Sequence, residues 1–320
     1  MKFRAFGRAG FRVSEIGMGC WAIGGSRFGN SYGATDDAES VRAIKKALEL
    51  GCNFFDTADV YGHGHSEELL GLGLSTTRMQ DHLECGKLLR ERVFIATKCG
   101  GAYMYNDEKW GVVNFSEEYI KFALENSLRR LRTSYMDVCQ LHNPPLYLIE
   151  EGEIFRPLRK LQEAGKIRCT GVSVHSLDEG LAALDHVDSI QCVFNMLDPR
   201  NYELMETAKR RGIAIIAREP LANGLATGKY AKESRFEKGD IRGSMPPEYM
   251  EAVLEEAEKI KKRFAGRQAT LAQIALKYVL SFDSVSVTIP GAKTAAQIEE
   301  NMKASDIPEL TEEELAVFGS

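Results

Sequence analysis

The feature that most constrains this chain is an alternation. Short apolar runs, each followed by at least one stretch with helical apolar spacing, recur eight times within 320 residues. The runs cover 16–21, 53–56, 93–98, 136–142, 167–173, 189–194, 212–217 and 284–289. The helical stretches cover 37–50, 66–74, 116–131, 149–164, 177–184, 202–211, 248–264 with 270–281, and 295–302. Strands separated by helices must lie parallel, with right-handed crossovers. Eight such units predict an α/β fold of the closed (β/α)8 barrel type rather than an open sheet. An open dinucleotide-binding sheet would carry a Gly-rich turn opening a helix after its first strand. Gly17-Met-Gly-Cys-Trp-Ala supplies two of its three glycines but runs into Ile23-Gly-Gly-Ser instead.

Residues 3–13, with Gly7 and Gly10 at the turn, read as an N-terminal β-hairpin, and the stretches beyond 248 supply extra helices near the C-terminus. No boundary interrupts the pattern, so residues 1–320 are expected to form a single domain. Stretches 80–86, 100–115 and 224–247 read as structureless. The latter two follow strands three and seven on the face where barrels build active sites, and so would wall a substrate pocket. Tyr103, Met104, Tyr105 and Trp110 suggest an aromatic lining there, with simple loop packing as the alternative.

Charge argues against nucleic acid: 41 Lys and Arg face 46 Asp and Glu, a net −5 without any basic block. The first residues lack an apolar leader, and no apolar run is long enough to span a bilayer. Seven cysteines are scattered without a C-x-x-C pair, which fits a reduced, cytoplasmic protein.

Three of the apolar runs lead into ionisable residues. NFFD ends at Asp56 with Tyr61 just beyond, VFIATK at Lys98 and MDVCQLH at His142. A barrel interior is packed, so only strand ends reach a cleft. Singly, each residue is more simply a solvated tip, an ion-pair partner or packing. Together they suggest chemistry. An ammonium inside a barrel needs an anion, which Asp56 supplies for Lys98. A phenol beside that ammonium is expected to have its pKa lowered towards working pH, making Tyr61 a proton donor. His142 would align the accepting oxygen. The set contains no strong nucleophile with an adjacent base. It therefore suits carbonyl reduction, with hydride brought by a cofactor.

The segment FFDTADVYG (54–62) with SEELLG (66–71) resembles the signature of the aldo-keto reductase superfamily. So do IATK (95–98), QLH (140–142), GVS (171–173), PLANGLATGKY (220–230), and IPGAK (289–293) with Glu300 and Asn301. The resemblance runs from about residue 3 to residue 301, in the family's order. It implies a (β/α)8 barrel binding an extended nicotinamide dinucleotide at its C-terminal face, and reversible reduction of an aldehyde or ketone. Position by position it makes Tyr61 the general acid, Lys98 and Asp56 its supporting pair, and His142 the residue orienting the carbonyl. Cys20 and Trp21 would line the nicotinamide end, and Ser173 and Gln191 would bind the carboxamide. Leu221, Asn223, Gly224 and Lys229 would follow the pyrophosphate. Gly291, Lys293, Gln297, Glu300 and Asn301 would hold the adenosine end.

Three positions depart from the pattern. Val174 stands where many members bind the carboxamide with Asn. Arg218 replaces an aromatic ring that stacks on the nicotinamide, and its planar guanidinium can stack or bind an anion. Gln297 replaces an Arg frequent in members that prefer NADP. Lys293 is then left to meet a 2′-phosphate, which favours NADP(H) over NAD(H).

Two other functions compete. His63, His65, His142 and His175 with Lys98 and an Asp could imitate the site of a metal-dependent hydrolase. Against it, HGH follows strand two rather than strand one, and no acid ends strand eight. No resident metal is therefore expected. A cofactor-sensing regulatory subunit, like the potassium-channel β subunits of the same superfamily, is the other reading. An intact tetrad and no inactivation-like extension before the hairpin favour the enzyme, acting on a small carbonyl or alcohol without membrane or nucleic-acid partners.

Overall fold

The computed structural model describes residues 1–27, 31–76, 89–101, 113–237 and 239–319. Strands β1 (Phe3–Ala5) and β2 (Arg12–Ser14) form an antiparallel hairpin. Eight strands follow: β3 (Met18–Gly19), β4 (Phe54–Asp56), β5 (Phe94–Cys99), β6 (Met136–His142), β7 (Ile167–Ser173), β8 (Ser189–Val193), β9 (Ala214–Arg218) and β10 (Val287–Thr288). All pair in parallel in chain order. Backbone bonds from Gly17 N–H to the Thr288 carbonyl (2.8 Å) and from Gly19 N–H to the Pro290 carbonyl (3.0 Å) close the ring. The fold is the expected (β/α)8 barrel.

Helices α1 (Asp37–Glu49), α2 (His65–Thr76), α3 (Glu117–Arg130), α4 (Leu146–Glu151), α5 (Arg156–Glu163), α6 (Leu177–Ala183), α7 (Tyr202–Arg210), α8 (Pro247–Arg263) and α9 (Leu271–Leu280) surround it. Helix α10 (Ala295–Lys303) completes the eighth unit after β10, and the extra C-terminal elements are the second helix after β9 and α11 (Glu312–Leu315). Their starts follow the sequence: Asp36, Ser116, Ser176, Thr270 and Thr294 each accept a backbone N–H of the first turn. The single helix expected over 149–164 is instead two. Gly152 adopts a left-handed φ of 74°, ending α4 before α5 begins.

Side-chain alternation decides what the barrel encloses. Phe54, Phe94, Ala96, Val138, Cys169, Ala214, Ile216 and Val287 point inward, where Phe6, Phe11 and Val13 of the hairpin plug the lower end. Phe11 stacks on Phe94 at 4.4 Å. The alternate residues Ile95, Cys99, Cys139 and Leu141 pack outward beneath the helices. Two residues further along each inward row come Asp56, Lys98, Gln140, Gly171 and Arg218, followed by His142 and Ser173. The same faces that fill the core thus turn polar at the C-terminal mouth.

Stretch 224–247 is not structureless. Turns of 3-10 helix cover Ala222–Thr227 and Ile241–Ser244, and Asp240 bridges Ser31 and Tyr32 of the loop after β3. Most of 100–115, with Tyr103, Met104, Tyr105 and Trp110, and all of 80–86 lie outside the described residues.

Candidate active site

A cleft of about 1350 Å³ opens at the C-terminal mouth. Asp56, Tyr61 and His142 line it, with Lys98 buried directly beneath. Nζ of Lys98 donates to Asp56 Oδ1 (2.5 Å), to the Thr57 carbonyl (3.0 Å) and to the Tyr61 hydroxyl (3.0 Å). Oδ2 of Asp56 accepts from Nε2 of Gln191 (2.8 Å) and of Gln140 (3.2 Å). Both oxygens of the carboxylate are thus engaged by buried donors, which offsets the cost of holding the ion pair away from solvent. The Tyr61 and His142 rings meet edge to face, 5.9 Å between centroids.

Gly62 makes the placement of Tyr61 possible. At φ 58° it lies so near Gly24 that a Cβ would sit 2.1 Å from that carbonyl oxygen. The turn Tyr61–Gly64 therefore packs against Ala22–Gly24, and the phenol is pressed towards β5. Beneath it Glu67, wholly buried, accepts from Thr97 Oγ1 (2.6 Å) and Arg130 Nε (2.7 Å). The neighbouring Asp59 carboxyl is wholly buried and has no side-chain hydrogen-bond partner among the described residues, and burial, with Glu67 beside it, pushes its pKa well up.

The electrostatics correct one expectation. Burial raises the Tyr61 phenol above its ordinary pKa. Lys98 pulls it down only in part, and Asp56 opposes that pull. Desolvation of a phenolate outweighs one ammonium already committed to a carboxylate. Burial would likewise depress Lys98, yet Asp56 and Tyr61 hold the ammonium above its usual value. His142 is driven well below the usual imidazole range by burial, then by Lys98, Arg218 and His175. At neutral pH the site therefore presents a protonated phenol, a charged ammonium and a neutral imidazole.

From this centre the cleft runs past Trp21, Ser173, Gln191, Arg218, Leu221, Asn223 and Gly224 to Lys229, Gly291, Lys293, Gln297, Glu300 and Asn301. All of these had been expected at a cofactor. Cys20 had too, but its side chain is fully buried in the outer core and does not reach the cleft. Strand β3 is only two residues long, so its alternation gave no phase, and Gly19 and Ala22 line the cleft instead. Arg218 is held from both ends: Nη1 pairs with Glu219, while Nη2 donates to the Val174 carbonyl (3.0 Å) and meets His175 Nδ1 (3.2 Å). Lys293 Nζ donates to the carbonyls of Tyr32 and Ala34, the latter at 3.3 Å.

Other residues had no role assigned from sequence. Gln140 could have been found, since it shares the inward face of β6 with His142. Tyr32 and Arg242 could not, because loops carry no periodicity. Tyr32 donates to Asn223 Oδ1 (2.6 Å), and Arg242 pairs with Asp240 and bonds Tyr230 Oη (2.7 Å). The Tyr32 contact joins the loops after β3 and β9 across the cleft, and the Arg242 contacts brace the loop after β9 itself. The cleft's volume gives room for a dinucleotide, and Lys229, Arg235 and Lys293, with Glu237 and Glu300 among them, line its far end. Among the described residues no group of three or more His, Cys, Asp or Glu could hold a metal. Nor, among them, is any helix long and apolar enough to cross a membrane.

The chain is 32% identical to aldo-keto reductase YhdN of Bacillus subtilis (strain 168), over 93% of this chain and 87% of that protein. It is 29% identical to the NADH-specific methylglyoxal reductase of Escherichia coli (strain K12), over 96% and 94%. The solved holo form of aldo-keto reductase AKR11C1 from Bacillus halodurans superposes with a TM-score of 0.80 at 27% identity, covering 100% of this chain and 95% of that one. The model of the aldo/keto reductase family matches residues 15–319, and the chain belongs to that family.

Proposed function

We propose that this protein, as one catalytic unit spanning its length, reduces an aldehyde or ketone to an alcohol, reversibly, with NADP(H) preferred over NAD(H). The observation that carries this reading is the 3.0 Å contact between the Tyr61 hydroxyl and the Lys98 ammonium at the inner end of a dinucleotide-sized cleft. When bound, the nicotinamide supplies hydride to the carbonyl carbon. Tyr61 delivers its proton to the carbonyl oxygen as negative charge builds there, and Lys98 steadies the phenolate left behind. The neutral His142 ring orients that oxygen without competing for the proton. Asp56, fixed by Gln140 and Gln191, keeps the ammonium in place.

The cofactor preference rests on this chain's own Lys293, since the Escherichia coli relative is named for NADH. Trp21 and Arg218 flank the inner end, Leu221 to Lys229 follow the phosphates, and Gly291 to Asn301 take the adenosine. Buried thiols at the six described cysteines support a reducing, cytoplasmic setting.

Fluorescence titration with NADPH and NADH, followed by turnover of a panel of aldehydes, ketones and sugars, tests the reading. Tyr61→Phe should lower turnover by at least about 10²-fold and leave dinucleotide affinity nearly unchanged. Full activity in that variant would remove Tyr61 from its role.

A further inference from the structure

A primary carboxamide offers one acceptor oxygen and one donor NH2, so a site that fixes its orientation needs one donor and one acceptor side by side. Ser173 and Gln191 were expected to serve, with Val174 where a helping Asn is frequent. Ser173 is only 1% exposed, and its hydroxyl is already committed: it donates to Asn143 Oδ1 at 2.9 Å. Gln191 uses its NH2 on Asp56 and on Gln140 Oε1 (3.2 Å), so its own Oε1 is what remains. Asn143 follows the proton-site residue His142 directly and lines the same cleft as Gln191 and Ser173.

Two further contacts fix Asn143. Its backbone N–H donates to the Ser173 carbonyl at 3.0 Å, and its φ of 52° is left-handed, a conformation that few side chains other than Asn tolerate. With Oδ1 held by Ser173, its Nδ2 donates to no described residue.

We infer that Asn143 is the carboxamide donor of this site, with Ser173 acting through it as a positioning residue and Gln191 Oε1 as the matching acceptor. The inference rests on the proposed dinucleotide chemistry. Asn143 thereby takes over, from the end of β6, the work that position 174 at the end of β7 cannot do. A donor and an acceptor holding the carboxamide at this end of the cleft would favour one face of the attached ring towards the Tyr61 side.

Affinity for NADP+ and for its thionicotinamide analogue, whose C=S accepts hydrogen bonds poorly, tests this by fluorescence titration in wild type and Asn143→Gly. Glycine keeps the left-handed backbone and removes the side chain, amide included. Wild type should bind the analogue more weakly than NADP+. Asn143→Gly should bind NADP+ about 3–10-fold more weakly, as for one lost neutral hydrogen bond, and discriminate little between the two. Asn143→Asp, similar in shape but unable to donate, should likewise lose the discrimination. Transfer from deuterated NADPH should remain specific for one face in wild type and become mixed in Asn143→Gly. Unchanged NADP+ affinity in the glycine variant, or equal weakening of both ligands, would overturn the role of Asn143. Failure of wild type to bind any dinucleotide would instead overturn the function on which it rests, and the inference with it.

Discussion

The Tyr61 hydroxyl and the Lys98 ammonium stand 3.0 Å apart, and the same ammonium lies 2.5 Å from Asp56. Lys98 is thus shared between a structural ion pair and the proton donor. Lys98→Met should lower turnover by at least about 10²-fold and destabilise the fold by about 3–5 kcal/mol, since Asp56 is left buried without its cation. Adding Asp56→Asn should recover much of the stability but none of the turnover. Urea denaturation and initial rates on the two variants separate the functions, and joint recovery of both would show Lys98 to be structural only.

The raised pKa of Tyr61 fixes the sign of the pH dependence. Reduction uses the protonated phenol, which persists from neutral pH up past the ordinary phenol value, so its rate should stay level from pH 6 to 9. Oxidation uses the phenolate, whose population grows about tenfold per pH unit below the pKa. Oxidation should therefore climb steadily over the same range. Initial rates in both directions across that range check this; a reduction rate falling near pH 7 would place the phenol pKa too high here.

How much of this was legible beforehand depended on periodicity. Rows 54–56, 94–98 and 138–142 alternate in and out regularly, so the inward placement of Asp56, Lys98 and His142 could be read from residues two apart. Cys20 failed because a two-residue strand carries no such phase. The break at Gly152 was visible as a glycine between two glutamates, but the helical spacing on both sides masked it. Residues 31–34 and 240–242 meet through backbone bridges and through Arg242 lying over the Tyr32 ring, and nothing local in the sequence announces such a contact. The direction of the Tyr61 shift is hidden from the sequence for a related reason: proximity to Lys98 is a matter of strand order, whereas desolvation depends on everything packed around the ring.

His142 should make the protein acid-sensitive. Its folded pKa lies well below the unfolded value near 6.5, so the unfolded chain binds the proton more readily. Stability is then complete above about pH 6.5 and falls as pH drops beneath it, by up to about 1.4 kcal/mol per unit from this residue. His142→Gln should flatten that loss between pH 6.5 and 5, leaving the smaller contribution of His175, whose pKa is also lowered by burial and Arg218. Urea midpoints at the two pH values measure it, and an unchanged slope would mean that the imidazole is protonated in the folded state.

Lys293 is the last determinant to test. Its ammonium now ties the carbonyls of Tyr32 and Ala34, and burial with the nearby Arg242 lowers its pKa, so it is a cation poorly served by its surroundings. A phosphate would serve it better, because a charge-assisted bond to an anion is stronger than one to a carbonyl. Glu237 stands on the same side of the cleft and raises the Lys293 pKa, so it would repel the phosphate that Lys293 attracts. Lys293→Ala should therefore weaken NADPH by about 10-fold or more and NADH far less, while Glu237→Gln should strengthen NADPH selectively. Dissociation constants for both dinucleotides in the two variants decide it. Equal weakening of NADPH and NADH in Lys293→Ala would assign the lysine to holding the loop after β3 rather than to reading the 2′-phosphate.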